Sequence, residues 1–433
     1  MPVLQQRQVA RYAISPDEAK NLKVRMLDWA NQFSIHIFLD SNSYPSRHKS
    51  FECLLATGVI DSVDNATSDP LAHLQHLHNT RKDWVFGHIN YDFKNELESK
   101  LHSEHPAKTG FPELYFFVPE TVCYINADQT VFYIETFGNP EAIYLELNQA
   151  FVEPQALPKL AFNAVVSREA YVQTIDKLRA HIADGDCYEI NFCTEGYCQP
   201  AAVDPLHVFK ALNAISPAPF ASYYRLDNRH MMCASPERYI KKHGSKLLSQ
   251  PIKGTARRDA DPATDAAIKE RLQNDIKERA ENVMIVDLVR NDLARTCNTG
   301  SIAVEELFGI YTYPQVHQMI STVTGRLKPD TAFTEALRYS FPMGSMTGAP
   351  KHKVMQLIER YEPSRRELFS GTVGYITPGG DFDFNVVIRS LFYNAATQYL
   401  GYQTGGAITY DSIPAQEWEE MRLKAWALER IFA

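Results

Sequence analysis

The chain has 433 residues, of which 45% are hydrophobic and 22% charged, the composition of a folded globular protein. Its formal net charge of −8 argues against nucleic acid and anionic membranes as main partners. No apolar run approaches the ~18 residues of a membrane-spanning helix. Seven cysteines without a C-x-x-C pair indicate reduced thiols, so we expect a cytoplasmic protein.

Short strand-like runs dominate the first third of the chain. Residues 84–89 and 130–134 are rich in β-branched and aromatic residues, as is typical of strands. These runs carry no chemical motif, so we interpret residues 1–152 as an N-terminal subdomain that forms a half-sheet scaffold. The proline-containing segment 152–159 predicts a boundary, after which residues 160–433 form a second region.

Capping signals predict helices in this second region. Ser167 precedes apolar residues that recur every three or four positions. Asp204-Pro205 and Asp261-Pro262 each combine an N-cap residue with proline at the first helical position. We predict a helix after each signal, and the last helical stretch should run to about Arg295.

Strand-like runs also occur in the second region, at residues 221–226, 371–376 and 384–388. They resemble hairpin strands followed by helices rather than a regular βαβ repeat. We therefore predict an α+β fold with antiparallel sheets.

Two E-x-x-E motifs lie on separate predicted helices, Glu278 with Glu281 and Glu417 with Glu420. Residues three apart share a helix face, so each motif directs two carboxylates the same way. Two such faces could supply oxygen ligands to Mg²⁺, which binds one or two carboxylates and keeps several waters. Solvated salt bridges are the alternative, because Glu420 lies four residues before Lys424. Glu281 precedes an apolar run and is expected to be buried, where an acid needs a partner.

Two further motifs each contain one candidate reactive residue. Lys253, in Q-P-I-K-G-T, adjoins a glycine that permits close backbone approach and is a candidate amine nucleophile. That role requires desolvation or a nearby cation to lower its pKa to roughly 7–8; a surface lysine is the alternative. Glu237, in S-P-E-R, is a candidate general acid if apolar surroundings raise its pKa. The alternative for Glu237 is an ion pair with Arg238.

Two small-residue segments are candidates for ligand contact. The segment 344–351, G-S-M-T-G-A-P-K, suggests a turn whose backbone N–H groups face an anion. It is not a P-loop, because Ala349-Pro350 separates Gly348 from Lys351. Gly405-Gly406-Ala407 either lets the backbone approach a ligand or forms a turn.

In this order, the segments resemble the chorismate-utilising enzyme family. The matching motifs are G-D-C-Y-E-I-N, S-P-E-R, P-I-K-G-T, A-E-N-V-M-I-V-D-L-V-R-N-D, G-S-M-T-G-A-P-K, I-R-S and a closing G-G-A with E-x-x-E. The resemblance covers about residues 160–430 and makes 160–433 a chorismate-binding catalytic region. It implies a large domain of two packed, mostly antiparallel β-sheets flanked by helices, as in anthranilate synthase component I.

Within the family, the lysine of P-I-K-G-T resembles the aminodeoxychorismate synthase component I branch, whereas anthranilate synthases usually carry alanine there. The resemblance implies that Lys253 attacks C2 of chorismate while Glu237 protonates the leaving C4 hydroxyl. Ammonia would then displace the lysine and give 4-amino-4-deoxychorismate, which a separate lyase converts to 4-aminobenzoate for folate. No cysteine lies in a G-x-C-x-G glutaminase motif, so a separate glutamine amidotransferase subunit would supply the ammonia.

The resemblance also implies the other site residues. The Mg²⁺ ligands would be Glu281 and Glu420, with Glu278 and Glu417 acting through water. Tyr375 and Arg389 would bind the enolpyruvyl carboxylate. The remaining substrate contacts would be Gly254, Thr255, Thr347, Gly405, Gly406 and Ala407.

Four features depart from the family's pattern. Glu189 stands where amine-forming members usually have glutamine and water-adding members have lysine. Gln318 replaces a frequent histidine, and Ala407 a frequent glycine. Residues 54–57 read L-L-A-T rather than L-L-E-S, so we predict no strong inhibition by tryptophan.

Three other functions compete with the amine-transferring one. Anthranilate synthase component I is the first alternative. An isochorismate-type isomerase is disfavoured because position 189 is not lysine. A non-catalytic chorismate-binding protein is disfavoured because Glu237, Lys253, Glu281 and Glu420 are all present.

Overall fold

The computed structural model describes residues 6–313 and 316–433. Residues 1–5 of the predicted N-terminal subdomain and residues 314–315 of the predicted catalytic region therefore lie outside the described residues. The α-helices are α1 (Pro16–Ala30), α2 (Pro70–Arg81), α3 (Lys94–Leu97), α4 (Pro140–Gln149), α5 (Arg168–Ala183), α6 (Pro205–Ile215), α7 (Pro262–Asn274), α8 (Ile276–Ala294), α9 (Phe333–Ser340), α10 (Lys351–Tyr361) and α11 (Pro414–Arg430).

The strands are β1 (Gln8–Ala13), β2 (Ile35–Asp40), β3 (Phe51–Thr57), β4 (Asp61–Asp64), β5 (Val85–Ile89), β6 (Leu114–Val118), β7 (Thr121–Asn126), β8 (Val131–Thr136), β9 (Asn163–Ala164), β10 (Glu189–Cys198), β11 (Phe220–Leu226), β12 (Arg229–Ser235), β13 (Arg238–His243), β14 (Lys246–Gln250), β15 (Ile252–Arg257), β16 (Ala303–Thr312), β17 (Val316–Arg326), β18 (Gly348–Ala349), β19 (Thr372–Ile376), β20 (Phe382–Asn385), β21 (Ser390–Asn394) and β22 (Tyr399–Ile408). The predicted strand at 384–388 thus ends at Asn385.

These strands form two antiparallel sheets. The first has the order β1-β8-β7-β3-β2-β11-β12-β21-β22-β10-β18, with β9 beside β10; the second has the order β15-β17-β14-β13-β20-β19-β5-β6-β4, with β16 beside β17. Within each sheet, every pair of neighbouring strands is antiparallel. Strands from the first 152 residues complete one end of each sheet. The predicted α+β class, with mostly antiparallel sheets, is confirmed.

The largest hydrophobic core contains residues from both sheets. Ile37 and Met231 of the first sheet and Phe86 and Phe384 of the second are buried in it. A second core contains residues of the first sheet together with α1, α4, α6 and α11. Because helices cover its other face, β12 of the first sheet is buried at every position except Arg229. In the described ranges, no helix is both long and apolar enough to cross a bilayer.

Local capping explains where the predicted helices begin. The side chains of Ser167, Asp204 and Asp261 accept hydrogen bonds from the first-turn N–H groups of α5, α6 and α7. The predicted continuous stretch to Arg295 is instead two helices. Asp275 has extended backbone (ψ 119°), and its side chain accepts from the Glu278 N–H at 3.0 Å, so it ends α7 and caps α8. The break places Glu278 in the first turn of α8.

Candidate active site

A cleft of about 850 Å³ collects most of the predicted site residues. We call it the acid-lined cavity. Its walls come from β15, β22, α8 and α11, together with the turn at Ser345–Met346. The predicted residues that line it are Glu237, Lys253, Gly254, Thr255, Glu278, Glu281, Arg389, Gly405, Ala407, Glu417 and Glu420.

Lys253 points into this cavity from β15 and is only 8% exposed, which excludes the surface-lysine alternative. Its Nζ donates a hydrogen bond to Glu189 Oε1 at 2.5 Å. Burial opposes the charged form, but Glu189 and Glu281 outweigh it and raise the pKa of Lys253 above its ordinary value. The expected lowering of this pKa is therefore absent, because the surrounding charges are acids rather than cations.

Gly254 makes the close approach of β15 and α8 possible. Its φ of +92° lies in the left-handed region that favours glycine. A Cβ at this position would lie 3.1 Å from Glu278 Oε2 and 3.3 Å from Met319 Cβ. A side chain here would therefore push α8 and its acids away from Lys253.

Glu237 follows β12 and is buried against the same cavity. Burial raises its pKa to about 7, although a hydrogen bond with Ser345 and the charge of Lys253 oppose the rise. An acid with this pKa holds a proton that it can donate near neutral pH. The alternative ion pair with Arg238 is absent, because that guanidinium binds Asp383 at 2.8 Å.

The two E-x-x-E motifs meet across the cavity, one on α8 and one on α11. Burial raises the pKa of Glu281 to about 7 and also raises the pKa of Glu278 and Glu417. Glu420 differs, because the charge of Lys424, 2.8 Å away, lowers its pKa. The Glu420–Lys424 pair thus exists, but it lies at the cavity rather than on an isolated surface.

The donor set suits a hard cation that keeps part of its water shell. Glu281 Oε1 is buried and has no hydrogen-bond partner among the described residues, although Lys277 Nζ lies 3.7 Å away. Within residues 6–313 and 316–433, no group of three or more acids, cysteines or histidines is close enough to enclose a metal. Mg²⁺ needs only one or two carboxylates, so the acids present fit it.

Arg389 is the cavity's candidate anion-binding residue. It lines the cavity just before β21, in a left-handed conformation (φ +52°) that is uncommon for a residue with a side chain. Burial lowers its pKa, and Glu420 partly offsets this effect. Its guanidinium has no hydrogen bond or ion pair within the part of the chain that the structure describes. A half-buried, unpaired guanidinium is suited to binding a carboxylate through two parallel hydrogen bonds.

Three predicted residues do not line the cavity. Thr347 is buried, and its hydroxyl donates to Met343 O at 3.1 Å, so it supports the turn. A Cβ on Gly406 would meet Glu417 Oε2 at 3.3 Å, so this glycine accommodates the acids of α11 instead.

Tyr375 is the third, and the structure places it away from the acid-lined cavity in which the other predicted residues meet. It lines a different cleft of about 400 Å³ and packs against Phe51 and Trp84. Side chains alternate along a strand, so Val373 and Tyr375 of β19 share the face that turns to this other cleft. Phe369, which precedes β19, lines the acid-lined cavity instead.

Sequence reasoning missed several contacts in the cavity. Lys277 and Lys424 neutralise part of the acid cluster. Their positions beside the E-x-x-E motifs were the sequence signal that could have placed them in the cavity. Gln318 lines the cavity and is 3% exposed, with no hydrogen-bond partner for Oε1 among the residues described. Its neighbour His317 instead donates a hydrogen bond from Nε2 to Asp265 Oδ1 at 3.0 Å. The contact of Glu189 with Lys253 had no local signal.

Comparisons with known proteins show which family the chain resembles. The sequence profile of a family described as chorismate binding enzyme matches residues 38–430. Aminodeoxychorismate synthase component 1 of Klebsiella aerogenes is 33% identical over 374 residues, covering 83% of this chain and 82% of that protein. Aminodeoxychorismate synthase of Streptomyces pristinaespiralis is 42% identical over 271 residues, covering 62% of this chain but only 37% of the relative's length.

A solved structure extends the similarity to the whole fold. The crystal structure of anthranilate synthase component I from Streptococcus pneumoniae TIGR4 matches with a TM-score of 0.77 and 25% identity, over 89% of this chain and 94% of that one.

Proposed function

The chain belongs to the family of chorismate binding enzymes, and within that family we propose that it is an aminodeoxychorismate synthase component I. It would convert chorismate and ammonia to 4-amino-4-deoxychorismate, for 4-aminobenzoate and folate synthesis. The observation that carries this proposal is the buried amine of Lys253 in one cavity with Glu237, whose pKa is raised to about 7.

Covalent catalysis divides a difficult displacement into two easier ones. The Lys253 amine attacks C2 of the ring, both ring double bonds shift by one position, and the C4–oxygen bond breaks. Hydroxide is a poor leaving group, so Glu237 donates a proton and water departs. Ammonia then forms a bond to C4 as the C2–lysine bond breaks, which releases the product with its enolpyruvyl group intact.

The acid-lined cavity offers complementary groups for the two carboxylates of chorismate. Mg²⁺ bound by Glu281 and Glu420, with Glu278 and Glu417 acting through water, would neutralise the ring carboxylate. Arg389, whose guanidinium has no partner among the described residues, binds the enolpyruvyl carboxylate. The backbone at Gly254, Thr255, Gly405 and Ala407 lines the rest of the substrate site, whereas Tyr375 is left out because it lines the other cleft.

Ammonia would come from a separate glutamine amidotransferase subunit. The Klebsiella relative is named component 1, which implies that a second component exists. The chain itself lacks the G-x-C-x-G motif of a glutaminase. The seven cysteines are free, which fits a reducing compartment such as the cytoplasm.

The test is to incubate the protein with chorismate and Mg²⁺ without ammonia and to measure its intact mass. We expect an added mass of chorismate less one water, located on Lys253 by peptide mapping. Adding ammonium salt should release 4-amino-4-deoxychorismate. The Lys253→Ala variant should bind chorismate but form neither adduct nor product.

The competing functions give different outcomes. Anthranilate as the product, formed equally well by Lys253→Ala, would identify an anthranilate synthase component I. Chorismate binding without turnover, with Mg²⁺ and ammonium present, would identify a non-catalytic binding protein.

A further inference from the structure

Glu189 contacts the amine of Lys253, yet the proposed reaction gives it no task. It is the first residue of β10 and is 1% exposed. Its Oε1 accepts the Lys253 hydrogen bond at 2.5 Å. Among the described residues, no other carboxylate lies within ion-pair distance of that amine. The contact joins the first sheet, which holds β10, to the second sheet, which holds β15.

The backbone fixes Glu189 in this position. The Tyr188 N–H donates to Ala349 O at 2.7 Å, and Glu189 pairs with Ala349 in the antiparallel β10–β18 ladder. Gly348 has a φ of +146°, and a Cβ there would lie 2.1 Å from Glu189 O. Only glycine permits this approach, so the turn before α10 determines where the Glu189 carboxylate lies.

The second oxygen of Glu189 lacks a donor. Oε2 is buried and has no hydrogen-bond partner in the described parts of the chain. A buried carboxylate oxygen without a donor is unfavourable, whereas a neutral carboxylic acid is much easier to bury. Moving a proton from Lys253 to Glu189 therefore replaces a buried ion pair with two neutral groups.

The other acids that face Lys253 have different surroundings. Glu237 precedes β13, Glu278 and Glu281 lie on α8, and Glu420 lies on α11. None of them hydrogen-bonds to the Lys253 amine within the described residues. Glu237 must keep its own proton for the leaving hydroxyl, which leaves Glu189 as the acceptor in contact.

We infer that Glu189 is the catalytic base that takes the proton from Lys253 before the amine attacks chorismate; this inference rests on the proposed function. The proton moves from Lys253 Nζ to the Glu189 carboxylate, and the freed lone pair forms the bond to C2 as the C4–oxygen bond breaks. Glu237 supplies the proton that makes the leaving group water. The adduct nitrogen keeps its two protons, so the lysine leaves as a neutral amine when ammonia attacks C4. Glu189 then returns its proton to Lys253, which restores the ion pair, and the ammonium group of the product returns a proton to Glu237.

The decisive variant is Glu189→Gln, which has nearly the same size but cannot take the proton. With chorismate and Mg²⁺ and without ammonia, we expect adduct formation on Lys253 near neutral pH to slow by about 100-fold. Chorismate affinity should stay unchanged. Below about pH 7, where Glu237 keeps its proton, the adduct rate of the variant should rise with pH because solvent must remove the lysine proton, whereas the wild-type rate should stay level.

A matched control lies on the same strand. Glu195→Gln makes the same chemical change at a buried acid that binds Lys108 and Tyr399 instead, and it should form the adduct at the wild-type rate. Glu189→Asp keeps an acid at a longer distance, so its rate should fall while its pH dependence stays like that of the wild type. If Glu189→Gln does not fold, Glu189→Asp decides the question. An adduct rate for Glu189→Asp equal to that of the wild type would then overturn the inference.

The two proposals fail in different ways. A wild-type protein that forms no adduct on Lys253 would refute the proposed lysine mechanism. A wild-type adduct, together with Glu189→Gln forming it equally fast at every pH, would leave the function standing and refute the role of Glu189.

Discussion

The acid-lined cavity and the second cleft are both large and both contain charged residues, but they treat those charges differently. In the second cleft, Glu52 accepts from Lys23, from Lys49 at 2.7 Å and from Ser41 at 2.7 Å. Arg238 there binds Asp383. In the acid-lined cavity, by contrast, Glu281 Oε1 and Gln318 Oε1 have no hydrogen-bond partner among the residues described, and neither has Oε2 of Glu189, which contacts Lys253.

This difference separates a structural charge network from a reactive one. Charges that the chain pairs with itself are structural, because removing one partner would leave the other buried without a counter-ion. Charges left partly unpaired keep their capacity for a substrate, a cation or a proton. Perturbed acids of this kind cluster at functional sites, which supports our proposal that the reaction takes place in the acid-lined cavity.

The largest effect should come from Glu237→Gln, which removes the proposed general acid. We expect adduct formation on Lys253 to slow by about 10²–10⁴-fold, the usual contribution of a positioned acid. Since burial raises the pKa of Glu237 to about 7, the wild-type rate should fall as pH rises above that value. Rapid-quench mass spectrometry across this pH range provides the check, and a wild-type rate that keeps rising would exclude this acid.

For Glu52→Gln in the second cleft, we expect a loss of stability rather than a slower reaction. Although burial opposes it, the charge of Lys23 lowers the pKa of Glu52 to about 2. The stability from this carboxylate is therefore present above pH 4.5 and is lost as pH falls toward 2. At neutral pH, the free energy of unfolding of the variant, measured by urea denaturation, should be about 3 kcal/mol lower than that of the wild type. Adduct formation by the folded variant should be unchanged, and a slowed reaction would make the second cleft part of the active site.

Magnesium should stabilise the protein through the acid-lined cavity alone. At about 100 times its dissociation constant, Mg²⁺ should add about 2.7 kcal/mol of stability, seen as a higher Tm without any substrate. Glu281→Gln with Glu420→Gln should abolish this increase, whereas Glu52→Gln should retain it. An equal increase in the double variant would place the cation elsewhere.

The smallest effect is expected for Tyr375→Phe. Its hydroxyl belongs to the second cleft, so KM for chorismate and kcat should match those of the wild type. Loss of its hydrogen bond with Ser50 should reduce stability by about 1 kcal/mol. Steady-state kinetics beside urea unfolding separates the two effects, and a raised KM would return this tyrosine to the substrate site.

Features that depend on nearby residues were predictable from the sequence. The starts of α5, α6 and α7 follow from N-cap side chains that bond within one turn of themselves. The E-x-x-E motifs predicted two acid faces because helical residues three apart point the same way. Asp275 shows where this local reasoning failed: apolar spacing continued across it, yet its side chain caps a new helix.

The sequence by itself determined the antiparallel α+β class, the main helix starts and the types of reactive side chain, because each depends on neighbours along the chain. Only the tertiary structure decided that Glu189 meets Lys253, that Tyr375 faces away from the site and that acids raise the lysine pKa. Those facts depend on which residues of two sheets meet in space, and on burial that strengthens every charge interaction between them.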